Sequence, residues 1–408
     1  MLQLISVIIS FLFIPILIKL KFKLSHTLLI TTVILGLFSG LGVIGIGESF
    51  IEVFISVPSR TTVLTVMMVS IFGGLMKHYK ILDKIVENML LVVSSKKNIL
   101  MIIPAMIGVL IIPGGALLSA PFIYNIGEDM NLPPVRRAAI NLVFRHIAMF
   151  ILPYSTSILL ISASFPDVSI PKLVLLNLFF VIPMVILGYR LYLKDIKIEK
   201  TKPRKNILKN IYRLIIYTSP IYICVIVNII TGLPFYLTLF VSILIVYLLG
   251  DKKDFLKVVV KSFNLNTILT VIAVLAMKEI ILKMDNLLLV FSGLLSEGNS
   301  MISIMFVFLI SAMFFGFITG NIGAALAVLL PMLIQMNVSN EMLYIYLYYC
   351  SACAYLGYFF SPLHLCQAFT LQLMNVTNGE LYREYRYFAP LLIFILFISV
   401  FILKLILV

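Results

Sequence analysis

At 408 residues, 62% hydrophobic and only 12% charged, the chain carries too little polar surface for a soluble domain of this length. Its mean hydropathy of +1.14 points to a multi-span α-helical membrane protein. The formal charge of +14 would suit a nucleic-acid partner, but the basic residues sit in short loops between apolar runs, the positive-inside pattern of a chain whose partner is a lipid bilayer. No nucleic-acid partner is expected.

The first apolar run, Leu2 to Ile18, lacks a basic leading region and a small-residue cleavage site, so it is expected to stay as a helix rather than leave as a signal peptide. Apolar runs predict spans near 2–19, 26–47, 61–76, 137–164 and 171–193, then 211–230, 234–250, 265–283, 341–374 and 388–406. The basic stretches KLKFK (Lys19 to Lys23), MKHYK with SSKKN (Met76 to Asn98), Arg136-Arg137, KDIKIEKTKPRKNILK (Lys194 to Lys209), DKKDFLK (Asp251 to Lys257) and YREYR (Tyr382 to Arg386) face the cytoplasm on this reading. Both termini then lie outside. Cys224, Cys350, Cys353 and Cys366 all fall in apolar segments and are expected to be small helix residues, not disulfide partners.

Two apolar segments do not fit as single crossings. Residues 99–130 and 300–335 are each interrupted near the middle, at Pro113-Gly114-Gly115 and at Thr319-Gly320-Asn321-Ile322-Gly323. With the basic loops on one side, each segment returns to the side it entered, as a re-entrant helical hairpin. Broken backbone at membrane depth is tolerated only where protein or a watery cavity partners the freed N–H and C=O groups, so the tips are expected to line a cavity.

The halves echo one another. Lys77 corresponds to Lys278 at an offset of 201; PGGALLSAP (Pro113 to Pro121) aligns with TGNIGAALA (Thr319 to Ala327) at 206; FILPYS (Phe150 to Ser155) aligns with FFSPLH (Phe359 to His364) at 209. The expected organisation is all-α. Residues 1–194 form a first repeat with hairpin 99–130 and broken helix 137–164. Residues 195–209 are a basic cytoplasmic linker, and residues 210–408 form a second repeat with hairpin 300–335 and broken helix 341–374. Five spanning helices per repeat is an odd number, so the repeats are inverted in the membrane, the usual sequence pointer to a secondary transporter with a midplane site. The segments 80–95 and 284–297 are amphipathic and are expected to lie at the interface.

A half-helix that starts inside the membrane presents unpaired N–H groups and its positive dipole end, which suit a carboxylate; unwound carbonyls suit a small cation. Gly114, Gly115 and Gly320 would let a ligand approach the backbone, unless they merely permit tight helix packing. Ser119, Thr319 and Asn321 offer polar contacts. Arg145 and His146 sit about 12 Å into their span at roughly 1.5 Å per residue, with Asn141 one turn earlier, while His364 follows Pro362 with Ser361 beside it. An ionisable group at that depth costs at least about 2.5–3.5 kcal/mol and is usually functional or paired. Arg145 either binds an anion or snorkels to the headgroups. His146 and His364 either pack or carry a coupling proton. Pro153 and Pro362 free backbone carbonyls, and Ser155 and Thr156 either re-satisfy the break or offer oxygens to substrate or Na⁺. No Asp or Glu is expected to be buried in the two long broken spans, where 138–164 and 342–374 contain none, so the expected cavity is electropositive and its ligand a small anion.

Two Gly-rich hairpin tips, the two broken helices NLVFRHIAMFILPYSTS and YCSACAYLGYFFSPLHLCQAFT, and five spans per repeat resemble the ion transporter superfamily, which holds divalent anion/sodium symporters, gluconate permeases and anaerobic dicarboxylate carriers. The chain is most similar to a prokaryotic family of integral membrane proteins of unknown function within it. The resemblance implies an elevator motion, carboxylate binding between hairpin tips and helix breaks, coupling to Na⁺ or H⁺, and a homodimer. The sodium symporters carry Ser-Asn-Thr at each tip; this chain has Pro113-Gly114-Gly115 and Thr319-Gly320-Asn321, so their sodium sites do not carry over.

The expected function is secondary transport of a carboxylate-type organic anion coupled to H⁺ or Na⁺, with no other cofactor. A channel or scaffold is the alternative, and it would not need duplicated hairpins. Enzyme chemistry is not expected: His146 with Ser155 or Ser157 lacks a nucleophile motif, and Cys350, Cys353, His364 and Cys366 lack metal-ligand spacing.

Overall fold

The computed structural model describes residues 2–109, 115–196, 206–252, 254–294, 300–336 and 338–408, whose regular structure is all helix. The first half runs α1 (Leu2–Lys19), α2 (Leu24–Phe38), α3 (Gly42–Ile55), α4 (Val57–His78), α5 (Ile81–Val92), α6 (Lys96–Gly108), α7 (Ala116–Asp129), α8 (Pro134–Arg145), α9 (Ala148–Ile151), α10 (Thr156–Ser164) and α11 (Ile170–Tyr192). The second runs α12 (Ile207–Thr231), α13 (Phe235–Leu249), α14 (Phe255–Ser262), α15 (Leu265–Leu282), α16 (Asp285–Leu294), α17 (Met301–Thr319), α18 (Ile322–Ile334), α19 (Asn340–Phe360), α20 (Leu365–Met374), α21 (Asn378–Glu384) and α22 (Phe388–Leu407). Seven helical stretches among the described residues are long and apolar enough to cross a membrane.

Most predicted spans fall on helices to within a few residues. The exception is 26–47, which is not one helix: α2 stops at Phe38, Gly40 adopts φ +85°, and α3 restarts at Gly42. The apolar run continues through this turn, so hydropathy alone hid it. Amphipathic α3 turns Ile46, Ser49 and Val53 inward and packs on α15.

The remaining breaks have local causes. Pro153 lacks an N–H and keeps Leu152 out of the helical region (ψ 119°), which separates α9 from α10; Pro362 does the same to Ser361 (ψ 132°) between α19 and α20. At the second hairpin tip Gly320 ends α17 in the left-handed conformation (φ +57°), and the Asn321 Oδ1 accepts the Ala324 N–H at 3.0 Å to cap α18. The first tip's Leu110 to Gly114 lie outside the described residues, so the expectations for Pro113 and Gly114 lie there too.

Packing sorts the helices into two groups. One comprises α6 to α11 and α17 to α22, with α6 on α8, α7 on both α8 and α20, α17 on α19, and α11 on α22. The other comprises α1 to α5 and α12 to α16, with α2 and α3 on α15, α13 and α14 on α4, and α12 on α5. They meet chiefly where α4 touches α10, α15 and α16 touch α18, and α1 touches α17. On the rim, α22 buries Leu392, Leu396 and Leu403 inward and leaves Phe394, Ile398 and Leu405 exposed. Such an apolar outer face is costly in water and natural against lipid.

In α15 the buried Lys278 ammonium lies 2.7 Å from the Glu279 carboxylate, with side chains 7% and 14% exposed. Removing one partner of a buried pair strands the other, at about 3–5 kcal/mol. Glu279→Gln is therefore expected to lower the melting temperature in detergent, and adding Lys278→Met to restore it. An unchanged melting curve for the single variant would contradict the pairing.

Candidate functional site

The two helix breaks and the second hairpin tip meet around a cavity of about 150 Å³ between the helix groups. Arg145 and His146 line it from the end of α8, Thr156 from the start of α10, Gly320 and Asn321 from the tip, and His364 from the second break. The facing wall is α15, through Thr267, Thr270, Val271 and Val274. Both hairpins press directly on the breaks. A Cβ at Gly108, the last residue of α6, would fall on the Arg145 carbonyl oxygen, and one at Gly320 would lie 2.7 Å from the Leu363 carbonyl carbon.

Arg145 is 4% exposed and makes no ion pair among the described residues. Its Nη1 donates only a long hydrogen bond, 3.4 Å, to the Ser119 hydroxyl. Three helix N-termini add to its charge, because the first residues of α10 (Thr156), α18 (Ile322, Gly323) and α20 (Leu365, Cys366) line the same cavity. The α10 and α20 N-termini carry no side-chain cap, so orphan N–H groups and positive dipole ends gather beside an unpaired guanidinium.

Beside it His146 Nε2 and His364 Nε2 lie 3.1 Å apart. His146 Nδ1 lies 2.6 Å from the Leu142 carbonyl, which can only accept, so Nδ1 carries a proton. In the neutral pair His146 Nε2 is then the acceptor and His364 Nε2–H the donor. That leaves His364 Nδ1 buried with no hydrogen-bond partner among the described residues. Tyr358 packs against His364 with ring centroids 4.0 Å apart and the ring planes tilted by 44°.

The other predicted residues support these groups without lining the cavity. Asn141 donates from Nδ2 to Thr370 Oγ1 at 2.9 Å and so ties α8 to α20. Thr319 Oγ1 accepts the Asn321 N–H at 3.1 Å and donates to the Phe315 carbonyl at 2.7 Å, which shapes the tip. Ser361 donates to the Phe317 carbonyl at 2.5 Å, fastening the second break to α17. Ser155 pairs with Ser157 at 3.4 Å. Gly115 opens α7 and Pro153 is half-buried, whereas Pro362 is exposed, so its role lies in the break alone.

Sequence reasoning missed Gly108, Tyr358, Thr267 and Thr270. Nothing separates these from helix packing residues until α15 is known to face α8 and α20. It also set Cys366 aside, yet His146, His364 and Cys366 bring three ligating atoms within 4.8 Å of one another, all buried. The Arg145 charge on the same cavity opposes a cation there.

Ser119→Ala removes the one neutral partner of Arg145. Because that bond is long it is worth about 1 kcal/mol, and anion affinity measured by titration calorimetry is expected to change no more than about fivefold. A hundredfold loss would place Ser119, not Arg145, at the centre of the site.

These features define a class: an all-helical membrane protein with a buried, cationic cavity at the meeting of broken helices. Over residues 3–406 the chain matches the family described as protein of unknown function (DUF401), and it belongs to that family. No curated protein matches it.

Proposed function

We propose that the protein is a secondary active transporter of a carboxylate-type organic anion in a prokaryotic plasma membrane, coupled to H⁺ or Na⁺. The observation that carries this reading is Arg145, a buried guanidinium without a carboxylate partner among the described residues that faces a cavity ringed by helix N-termini. A buried unpaired charge is costly, and a ligand carboxylate supplies the missing counter-charge in the bidentate geometry that Arg favours. The neutral His146–His364 pair, with one open acceptor at His364 Nδ1, suits a coupling proton; at the breaks the Met149 carbonyl accepts from Ser157 Oγ and the Tyr358 carbonyl from the Ser361 N–H, so Na⁺ is the less supported coupling ion.

Two inverted repeats of five spans, a hairpin and a broken helix are part of the proposal. They are supported by matched packing: α6 on α8 answers α17 on α19, α2 on α15 answers α13 on α4, α3 on α15 answers α14 on α4, and α12 on α5 answers α1 on α16. An elevator mechanism, which the resemblance to the ion transporter superfamily implies, fits a cavity with Arg145, His146 and His364 on one helix group and α15 on the other. Outside termini and a homodimer complete the reading.

The test is a thermal-shift screen of purified protein against dicarboxylates, sugar acids and inorganic oxyanions, with and without Na⁺. At least one anion is expected to raise the melting temperature by several degrees in wild type and not in Arg145→Ala. No stabilisation by any anion, or equal stabilisation of both proteins, would overturn the reading.

A further inference from the structure

The central cavity has a neighbour that the anion reading leaves unused. A second cavity, of about 680 Å³, lies between α4 and the α14–α15 junction and is lined by Lys77, His78, Lys261, Ser262 and Asn266, together with Thr156 and Thr267. Those two threonines also line the central cavity, so they form the neck between the two. Thr267 Oγ1 is buried and without a hydrogen-bond partner among the described residues, a free polar group in the neck. Farther out a third cavity, of about 490 Å³, shares His78 and Lys261 with the second and adds Lys80, Lys84 and Lys257 against Asp251 and Asp254.

We propose that the Lys77–Lys261 cavity is an anion-collecting antechamber, and that small carboxylates pass from it through the Thr156–Thr267 neck to Arg145. The proposal rests on the anion-carrier reading and adds to it an access route, the side that is open in this conformation, and the groups that select by charge. Lys77 and Lys261 are exposed and make no ion pair among the described residues, so their field is not cancelled locally. A like-signed cleft with low-dielectric walls concentrates counter-ions. The outer cavity sets acids against its lysines, whereas the middle one, by its lining, holds lysines and no acid, so no carboxylate there competes with an entering anion. Lys77 ends α4 and Lys261 ends α14, both on the side that the basic loops assign to the cytoplasm, so this conformation is open inward.

Positive-inside topology alone would also put lysines here, and charge-selective labelling separates the two accounts. Single cysteines are introduced by Asn266→Cys in the antechamber and Thr270→Cys beyond the neck, and reaction rates are measured in proteoliposomes with anionic and cationic methanethiosulfonates of similar size. Wild type, whose four cysteines are buried, gives the background. The anionic-to-cationic rate ratio at both positions is expected to fall at least tenfold on Lys77→Gln/Lys261→Gln, and to fall with added salt in the parent proteins. Thr267→Trp is expected to slow labelling at Thr270→Cys tenfold while sparing Asn266→Cys. A ratio that ignores both lysines, or labelling at Thr270→Cys that ignores the plug, overturns the proposal. These rates need no transport. If charge selectivity holds but no anion is carried, the carrier reading fails and the antechamber stands; if transport occurs without charge selectivity, the reverse is true.

Discussion

Arg145→Ala is expected to lower anion affinity at least about a hundredfold while leaving the ligand-free protein as stable as wild type or more so. The first half follows from the loss of a charge-assisted, bidentate contact worth about 3 kcal/mol. The second follows from the absence of any carboxylate partner for Arg145 among the described residues: alanine leaves no stranded counter-charge there, and a desolvated guanidinium is removed. Loss of binding with unchanged or improved stability is the signature of a residue kept for function. Arg145→Lys keeps the charge but loses the planar fork, so an intermediate loss of about tenfold is expected. Calorimetric titration and melting curves read both quantities. A variant that melts well below wild type yet binds anion normally would make Arg145 a packing residue.

Gly320→Ala is the second large effect. Its left-handed backbone costs a non-glycine residue about 1–2 kcal/mol. The added methyl would also meet the Leu363 backbone at 2.7–2.8 Å, where overpacking adds about 1–3 kcal/mol. The tip must retreat from the second break, which moves Asn321 and the α18 N-terminus away from the cavity. The melting temperature is expected to fall by several degrees, and anion exchange to drop more than tenfold. Gly379, where a Cβ would meet nothing within 4 Å, supplies the control, since Gly379→Ala should leave both unchanged. Equal behaviour of the two variants would mean that the tip-to-break contact is unimportant.

The sequence disclosed those parts whose cause is local. Lys and Arg at loop ends delimit the spans, and Pro153 and Pro362 break helices by chemistry that needs no partner. The Gly-rich run at 319–323 announces a tip because a helix cannot continue through Gly320 at positive φ. Arg145, His146 and His364 stood out because charge at membrane depth is rare. What stayed hidden depends on which helices meet. The His146–His364 contact joins residues 218 apart, and the offsets that relate the halves pair His364 with Ser155, not with His146. Thr267 and Thr270 acquire meaning only because α15 faces the cavity. The turn at Gly40 had a local signal in Ser39-Gly40-Leu41-Gly42, which the high hydropathy of the flanking residues outweighed.

Solute counterflow separates an Arg145-dependent carrier from a channel or an inert membrane protein. Proteoliposomes are loaded with an excess of an unlabelled anion from the stabilising set, diluted into the same anion carrying a radiolabel, and sampled over time. Wild type is expected to accumulate label transiently above its equilibrium level, and Arg145→Ala to show no such overshoot. Label that only equilibrates monotonically, as through a channel, or a wild-type trace matching protein-free vesicles, would contradict the carrier reading.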